Sequence, residues 1–214
     1  MKILAVEFSS NQKSVAVLAD GVCASAMESG HAVNHPFELI ERALAGAHLE
    51  REQIECLAVG LGPGSYHGIR AAISLAQGWS LARPVKTFGI PAMEAMAFRA
   101  GELAWRGGFS FIIDAQRNEF YRADFEIGTD SFQETGVLRI VPAAEIAELE
   151  KNGGALAGPG IRERFPRAAE LHPDAEAVAR LAARRTAFIP AEELVPIYLR
   201  ETAFVKAPPP RHVV

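Results

Sequence analysis

The stretch that decides the fold of this chain is Cys56-Leu57-Ala58-Val59-Gly60-Leu61-Gly62-Pro63-Gly64-Ser65-Tyr66-His67-Gly68-Ile69-Arg70. It opens with a short apolar run, typical of a buried strand, which four glycines and a proline then interrupt. A helix of mostly small residues is expected from Gly68 to the residues before Pro84, because proline lacks an N–H group and disfavours helix in the residue before it. A strand, a glycine turn and a helix in this order can direct backbone N–H groups toward an anion.

The glycine turn has two interpretations. Gly62, Gly64 and Ser65 are candidate contacts for a cofactor phosphate. The stretch is not a Walker A loop, because no Gly-Lys-Ser/Thr follows, and it is not Gly-x-Gly-x-x-Gly, because Gly68 comes one residue too late. The alternative is a tight turn before a closely packed helix, and the spacing alone favours this alternative.

Two helices carry more apolar surface than one contact would bury. The helix predicted over 68–82 has only four polar residues, so we expect it to be covered on more than one side. Apolar stripes at helical spacing follow both helices. On the second helix they comprise Ala71, Leu75, Gly78 and Ala82, and on the helix over Pro36–Gly46 they comprise Phe37, Ile40 and Leu44, and Leu39, Ala43 and Ala47. Either a partner covers these stripes or they form a well-covered interior pair in a single chain.

The composition limits the classes of function. The chain has 214 residues, 49% of them hydrophobic, and a net charge of −4. One large domain or two small ones are expected, without a global attraction to nucleic acid or to an anionic membrane. Cys23 and Cys56 lie in apolar runs and are interpreted as small buried residues in a reducing compartment. We find no signal peptide and no apolar run of membrane-spanning length, and expect a soluble, cytoplasmic protein.

The order of the predicted elements indicates an α/β fold with two lobes. Three strands at the start, over 3–8, 14–19 and 22–27, precede a helix, the strand before the glycine turn, a further strand over 85–90 and a helix over 91–105. A second strand pair, over 109–114 and 118–127, then repeats this opening. Gly107-Gly108 is the predicted boundary, which gives lobes 1–106 and 107–214. Helices are predicted over 142–151 and 174–186, and an extended segment over 195–200.

Four stretches resemble signature regions of the TsaB (YeaZ) family. They are Ile3-Leu4-Ala5-Val6-Glu7-Phe8-Ser9-Ser10, the segment from Val59 to Arg70, Ile113-Asp114-Ala115-Gln116-Arg117-Asn118-Glu119-Phe120-Tyr121, and Pro196-Ile197-Tyr198-Leu199-Arg200. The resemblance implies a two-lobed actin/Hsp70/sugar-kinase-like fold with mixed sheets flanked by helices. This chain differs from the family at Glu7-Phe8-Ser9, where the family usually has Asp-Thr-Ser, and at Tyr66-His67, where the family usually has Phe-Thr.

The resemblance also implies a function. TsaB proteins are non-catalytic subunits in the synthesis of N6-threonylcarbamoyladenosine at position 37 of tRNA. They pair with the catalytic paralogue TsaD, or with themselves, through helices of the first lobe, and a TsaE-type ATPase is a further expected subunit. Contact with tRNA is expected to be indirect, and no cofactor is expected. The predicted interface is the set of striped residues: Phe37, Leu39, Ile40, Ala43, Leu44, Ala71, Leu75, Gly78 and Ala82.

A metal site is not expected. The paralogue binds its metal through a His-x-x-x-His pair, and Ala92 and Met96 occupy those positions here; alanine cannot bind a metal and a thioether is a poor ligand for a hard or borderline one. His31 and His35 have the same spacing, but Pro36 disfavours helix at His35. The alternative for that loop is that Asn34 or His35 caps the next helix.

Two enzymatic functions remain as alternatives. The first is an ATP-dependent phosphotransferase, which would need an aspartate on the first hairpin where this chain has Glu7. The second is a metallopeptidase, which the residues at the two histidine positions disfavour. Asp114, at the end of a strand, is expected either to face a cleft or to cap the turn at Gln116.

Overall fold

The glycine turn follows the fourth strand of a five-stranded mixed sheet. The computed structural model describes residues 1–30 and 35–200. The first sheet has the order β3-β2-β1-β4-β5; β1 pairs antiparallel with β2 and parallel with β4. Its strands are β1 (Ile3–Glu7), β2 (Gln12–Ala19), β3 (Val22–Ser29), β4 (Cys56–Gly60) and β5 (Lys86–Ile90). The helices between and after them are α1 (Pro36–Gly46), α2 (Tyr66–Ala82) and α3 (Ala92–Glu102), with a 3-10 turn at Arg51–Gln53.

The second half of the chain forms another mixed sheet. Its order is β10-β9-β6-β7-β8, with β6 antiparallel to β7 and parallel to β9. The elements are β6 (Gly107–Asp114), β7 (Glu119–Ile127), β8 (Phe132–Pro142), α4 (Ala143–Lys151), β9 (Leu156–Gly158), β10 (Ala169–Glu170), α5 (Ala175–Ala183) and a 3-10 turn at Ala191–Glu193. The segment over 195–200 forms no regular element, and Ile197 N–H donates to Leu61 O at 2.9 Å.

The central strands of the first sheet are buried on both faces. Alternate residues of a strand point to opposite faces, so Leu4 and Val6 face α1 and α2, whereas Ile3 and Ala5 face α3 and α5. Because α5 comes from the second half of the chain, it closes the first sheet from across the predicted boundary. Gly107 and Gly108 open β6 instead of forming a linker. The division into lobes at residue 106 stays a prediction.

Helix α3 lies between the two sheets. It contributes Phe98 to the core of the first sheet, and Met93 and Met96 to the core of the second, where they meet Phe111 and Phe125. Helix α4 covers the other face of the second sheet through Ile146. Within residues 1–30 and 35–200, no helix has both the length and the hydropathy to cross a membrane.

Helix α2 begins two residues before its predicted start. Ser65 has non-helical backbone angles, with φ −59° and ψ 111°, and its side-chain oxygen accepts a hydrogen bond from Gly68 N–H at 3.3 Å, so Ser65 is the N-cap. Tyr66 is therefore the first helical residue. This places its ring at the N-terminal end of α2, beside the glycine turn.

The prediction of a second free stripe on α1 is wrong. Leu39, Ile40, Ala43 and Leu44 are all at most 3% exposed and all belong to the core against the first sheet. These positions are neighbours around a helix of 3.6 residues per turn, so they form one broad face that the sheet buries. Among the predicted interface residues on α1, Phe37 alone is exposed, at 66%.

The two glycines of α2 give a matched test of how closely this helix packs against the rest of the chain. A Cβ at Gly68 would lie 1.9 Å from the backbone oxygen of Phe8, whereas a Cβ at Gly78 would meet no atom within 4 Å. We predict that Gly68→Ala lowers the free energy of unfolding by about 2 kcal/mol through overpacking. Gly78→Ala should raise it by about 1 kcal/mol, because alanine favours helix over glycine. Urea denaturation measures both, and equal effects at the two positions would contradict this account.

Candidate functional site

A cleft of about 540 Å³ opens between the glycine turn and the second sheet. The turn between β1 and β2 forms one wall with Ser9, and the start of α2 contributes Tyr66. Asp114, at the end of β6, and Tyr198, near the end of the described chain, also line the cleft. This is where the sequence placed its candidate ligand contacts Gly64 and Ser65, and both residues line the cleft.

The glycine turn is shaped by its contact with the β1–β2 turn. Ser65 N–H donates to Ser9 O at 2.7 Å, and a Cβ at Gly64 would lie 2.1 Å from the same oxygen. Gly62 and Gly64 have φ angles of 83° and 149°, which side chains rarely adopt. Packing alone therefore accounts for these glycines. A role for Gly62, Gly64 and Ser65 in binding an anion stays a prediction.

Glu7 is the last residue of β1, and its carboxyl group is buried against Gly60 of β4. Its side chain is fully buried, Oε1 accepts the Ser9 N–H at 2.6 Å, and Oε2 has no hydrogen-bond partner among the described residues. A Cβ at Gly60 would lie 1.8 Å from Oε2, so only glycine leaves room for this carboxyl. Burial raises the pKa of Glu7 from 4.5 to about 7; the Ser9 hydrogen bonds oppose this shift and the charge of Asp174 adds to it.

Glu7 does not fit the metal-holding role that a phosphotransferase would require at its position. Such a reaction needs an ionised carboxylate that faces the cleft and holds the metal. Glu7, which stands where the family usually has aspartate, is not among the residues that line the cleft. Its pKa near 7 also leaves it partly protonated at neutral pH. We therefore derive no phosphoryl transfer step from this site.

Asp114 combines both of its predicted roles. Its Oδ1 accepts the Gln116 N–H at 2.7 Å, which stabilises the β6–β7 turn, and the residue also lines the cleft. Gln116, Arg117 and Asn118 have φ angles of 64°, 56° and 65°, a conformation that costs energy in residues with side chains. The turn therefore depends on its local hydrogen bonds.

The predicted metal positions and the histidine pair lie elsewhere. Ala92 and Met96 are fully buried in the core between α3 and the second sheet. His31 and Asn34 lie outside the described residues. His35 is the N-cap residue of α1, but its side chain makes no capping hydrogen bond; its Nδ1 lies 3.5 Å from Glu38 Oε1. The alternative that Asn34 or His35 caps α1 is therefore wrong for the His35 side chain, and Asn34 lies outside the described residues.

A second cavity, a groove of about 400 Å³, lies between α1 and α2. Phe37 and Ile40 contribute from α1, and Leu75, Gly78 and Ala82 contribute from α2. Of the predicted interface residues on α2, Ala71 is half-buried, and Gly78 and Ala82 are exposed. The buried face of α2 consists of other residues, namely Gly68, Ile69, Ala72, Ile73 and Ala76. The predicted stripe on α2 is thus left accessible by the chain's own fold.

Sequence reasoning missed two features of the cleft. Lys13 is 1% exposed, and its Nζ donates to Ser10 O at 2.9 Å and to Gly30 O at 2.6 Å, which holds the β1–β2 turn in place. A lysine in a strand is normally interpreted as exposed, so no sequence signal distinguished it. The second feature is the stacking of Tyr66 on Tyr198, with ring centroids 5.6 Å apart. These residues are too far apart in sequence for any spacing rule to pair them.

The buried carboxyl predicts a stability that falls with pH. Because the pKa of Glu7 rises from 4.5 to about 7 on folding, its protonated form stabilises the folded state fully below pH 4.5, and this contribution is lost as the pH rises through 7. The loss should amount to about 3 kcal/mol. Glu7→Gln should flatten the curve of unfolding free energy against pH between 5 and 8. Glu163→Gln, at an exposed carboxylate, should leave the slope unchanged, and an equally steep Glu7→Gln curve would contradict the assignment.

A family model and two curated relatives that match this chain all carry names from the synthesis of threonylcarbamoyladenosine on tRNA. A family model described as "TsaD: tRNA N6-adenosine threonylcarbamoyltransferase" matches residues 2–194. The tRNA threonylcarbamoyladenosine biosynthesis protein TsaB of Haemophilus influenzae is 32% identical over 123 residues, 56% of this chain and 52% of the relative. The protein of the same name from Escherichia coli is 30% identical over 132 residues, 59% of this chain and 55% of the relative. The chain thus spans about half the length of these curated relatives.

Solved structures extend the similarity over nearly the whole chain. A Pseudomonas aeruginosa protein described as similar to peptidase YEAZ has a TM-score of 0.79 and 26% identity, covering 93% of this chain and 99% of that chain. YeaZ from Pseudomonas aeruginosa has a TM-score of 0.74 and 25% identity, covering 92% and 99%. The predicted fold class of mixed sheets flanked by helices is therefore confirmed. The family match over residues 2–194, the TsaB relatives and the YeaZ structures together establish that the chain belongs to the TsaB (YeaZ) family.

Proposed function

We propose that this chain is a non-catalytic assembly subunit in the synthesis of N6-threonylcarbamoyladenosine on tRNA, and that it binds a TsaD-type paralogue through α1 and α2. The observation that carries the proposal is the apolar groove between these helices. Phe37 on its rim is 66% exposed, and Leu75, Gly78, Trp79 and Ala82 are among the α2 residues that line it. An open apolar groove with an exposed aromatic rim residue is typical of a protein interaction site.

The groove fits a partner helix better than a small ligand. Part of its wall from α2 is smooth, because Gly78 and Ala82 project little or nothing beyond the backbone, while Leu75 and Trp79 supply apolar side chains. Small residues let a second helix approach closely, and a pair of helices that meets its counterpart forms a four-helix arrangement. Charged residues at the edge, among them Arg51, Glu52 and Arg83, supply a polar rim.

Gly78 is a separate argument for close approach. A glycine inside a helix costs about 1 kcal/mol relative to alanine. Within the described chain nothing lies within 4 Å of the position that its Cβ would occupy, so internal packing does not require glycine there. A helix of a partner at short distance would require it.

The site chemistry supports an assembly role over catalysis. Glu7 is enclosed and hydrogen-bonded to Ser9 N–H, so it is not placed to act on a substrate in the cleft. Ala92 and Met96 stand where the resemblance places the metal-binding histidines of the paralogue. The TsaD-type paralogue would then supply the transferase chemistry, a TsaE-type ATPase would be a further subunit, and tRNA would reach this chain only indirectly. A second copy of the chain could occupy the same groove, so the homodimer and the complex with the paralogue should compete.

The first prediction from this proposal concerns the groove. Gly78→Glu adds a charge at an exposed position, so the variant should fold, as circular dichroism would verify. The charge would be desolvated in the complex, and we expect a loss of about 2 kcal/mol or more of binding free energy for the paralogue and for self-association. Calorimetry measures binding of the paralogue, and analytical ultracentrifugation measures self-association.

Ala71→Arg is a second variant on the same face. Val137→Glu, at an 80% exposed apolar residue on β8 of the second sheet, is the matched control and should bind normally. If Gly78→Glu and Ala71→Arg both bind the paralogue as tightly as the unchanged chain, the interface lies elsewhere.

The second prediction concerns the pathway. Depletion of the protein from its own cells should remove threonylcarbamoyladenosine from tRNA, whereas the isolated protein should form none. Mass spectrometry of digested tRNA measures the modified nucleoside. Re-expression of the unchanged chain should restore it, and re-expression of Gly78→Glu should not. A normal level of the nucleoside in depleted cells would refute the proposed role.

A further inference from the structure

Four exposed arginines form a basic patch on the second half of the chain. Arg117 belongs to the turn between β6 and β7, and Arg162, Arg164 and Arg167 belong to the loop between β9 and β10. Within residues 1–30 and 35–200, none of these four forms an ion pair with an acidic side chain. Like charges that lie close together repel, so this arginine patch favours a negatively charged partner.

Arg164 joins the two parts of the arginine patch. Its Nη2 donates a hydrogen bond to Asn118 Oδ1, and its guanidinium carbon lies 5.2 Å from the ring centroid of Phe120 and 5.9 Å from that of Phe165. The hydrogen bond reaches from the loop into the β6–β7 turn, so the backbone of Arg117 lies next to the loop. A guanidinium group that is already held over aromatic rings loses less freedom when it binds an anion.

The loop of the arginine patch is fixed from below by the core. Phe165 N–H donates to Ile161 O at 2.9 Å, and Ala168 N–H donates to Phe165 O at 3.0 Å. These three apolar residues are buried in the core beneath α4. The positions between them, 162–164 and 166–167, are exposed. Packing therefore holds the loop in place, but it does not require arginine at any of the exposed positions.

The β6–β7 turn places Arg117 in a costly conformation. Gln116, Arg117 and Asn118 have φ angles of 64°, 56° and 65°, in the left-handed region that glycine adopts most easily. Residues with side chains pay free energy for this conformation, and such residues are concentrated at functional sites. The turn thus keeps an exposed arginine where a glycine would fit with less strain, which indicates that the side chain itself has a use.

We propose that the arginine patch binds an acidic segment of a partner protein, whose carboxylates pair with the guanidinium groups. The planar guanidinium offers two parallel N–H donors, which match the two oxygens of a carboxylate. The four arginines and the neighbouring Glu163 together carry a net charge of +3, whereas the whole chain carries −4. The attraction is therefore local, and its sign is complementary to an acidic segment.

A protein segment fits the arginine patch better than a nucleic acid does. Sites for nucleic acid often contact about six to ten phosphates, and this patch has only four arginines. Glu163 is exposed among them, and within the described part of the chain it forms no ion pair. A continuous phosphate backbone would meet this negative charge, whereas a protein segment can place a neutral or basic residue there.

The proposal does not rest on the assembly role. The groove between α1 and α2 is lined by none of the four arginines, and neither is the cleft beside the glycine turn. The arginine patch is therefore a surface of its own, and it stays free when a partner occupies the groove.

The test measures how acidic, neutral and nucleic-acid probes of the same length bind to the full chain at low ionic strength. Calorimetry and mapping of NMR chemical shifts would use hexaglutamate, hexaglutamine and the RNA hexauridylate. We expect hexaglutamate to bind and to shift the signals of the β6–β7 turn and of residues 161–167, and hexaglutamine to leave them unchanged. Added salt should weaken the binding, because salt screens exposed charges.

Arg117→Gln and Arg162→Gln remove two of the charges from exposed positions, so both variants should fold, as circular dichroism would verify. Each should weaken hexaglutamate binding about threefold, and the double variant about tenfold, the scale of one and two lost surface ion pairs. Arg42→Gln is the matched control, because it removes an exposed arginine from α1 and changes the net charge equally. It should leave the binding of hexaglutamate unchanged, as should Gly78→Glu in the groove.

Three results would overturn the proposal. The first is that hexaglutamate does not bind, or binds no more tightly than hexaglutamine. The second is that hexauridylate binds more tightly than hexaglutamate, which would assign the patch to nucleic acid. The third is that Arg42→Gln weakens hexaglutamate binding as much as Arg117→Gln or Arg162→Gln does, because the effect would then come from the net charge and not from the patch.

Discussion

The close contact between two turns is the constraint on which the rest of this structure depends. The backbone oxygens of Phe8 and Ser9 approach Gly68 and Gly64 so closely that no side chain fits at either glycine. Ser65 N–H donates to Ser9 O at 2.7 Å and completes the contact. This contact fixes the N-terminus of α2 against the end of β1, and the apolar face of α2 then determines how the helix lies on the sheet.

Both candidate surfaces follow from the position of α2. At its N-terminus, Tyr66 is directed to the cleft, where Tyr198 stacks on it. Along its C-terminal half, Gly78 and Ala82 form one side of the groove with α1. The enclosed carboxyl of Glu7 belongs to the same centre, because Gly60 provides the space for it and Ser9 N–H binds it. The buried carboxyl of Glu7 thus fills the space that Gly60 leaves beside the glycine turn.

The sequence predicted the elements of the fold well, because hydrophobic periodicity, turn residues and prolines mark them locally. It placed α1 and the strands β1 to β5 within a few residues, and it identified the accessible stripe on α2. It failed where the outcome depends on contacts between distant segments. The apolar residues of α1 were assigned to two stripes, but the sheet covers them as one face. The packing of α5 on the first sheet and the stacking of Tyr66 on Tyr198 also have no local signal. Nor did the sequence indicate that Glu7 and Lys13 are buried, since charged residues are normally exposed.

The most direct measurement of the central claim, that α1 and α2 form the assembly surface, is hydrogen–deuterium exchange of the chain with and without its TsaD-type paralogue. The account predicts that the paralogue slows exchange in α1, in the turn at Arg51–Gln53 and in the second half of α2, while β7, β8 and α4 exchange as in the free chain. Protection confined to the second sheet and α4, with α1 and α2 unchanged, would contradict it.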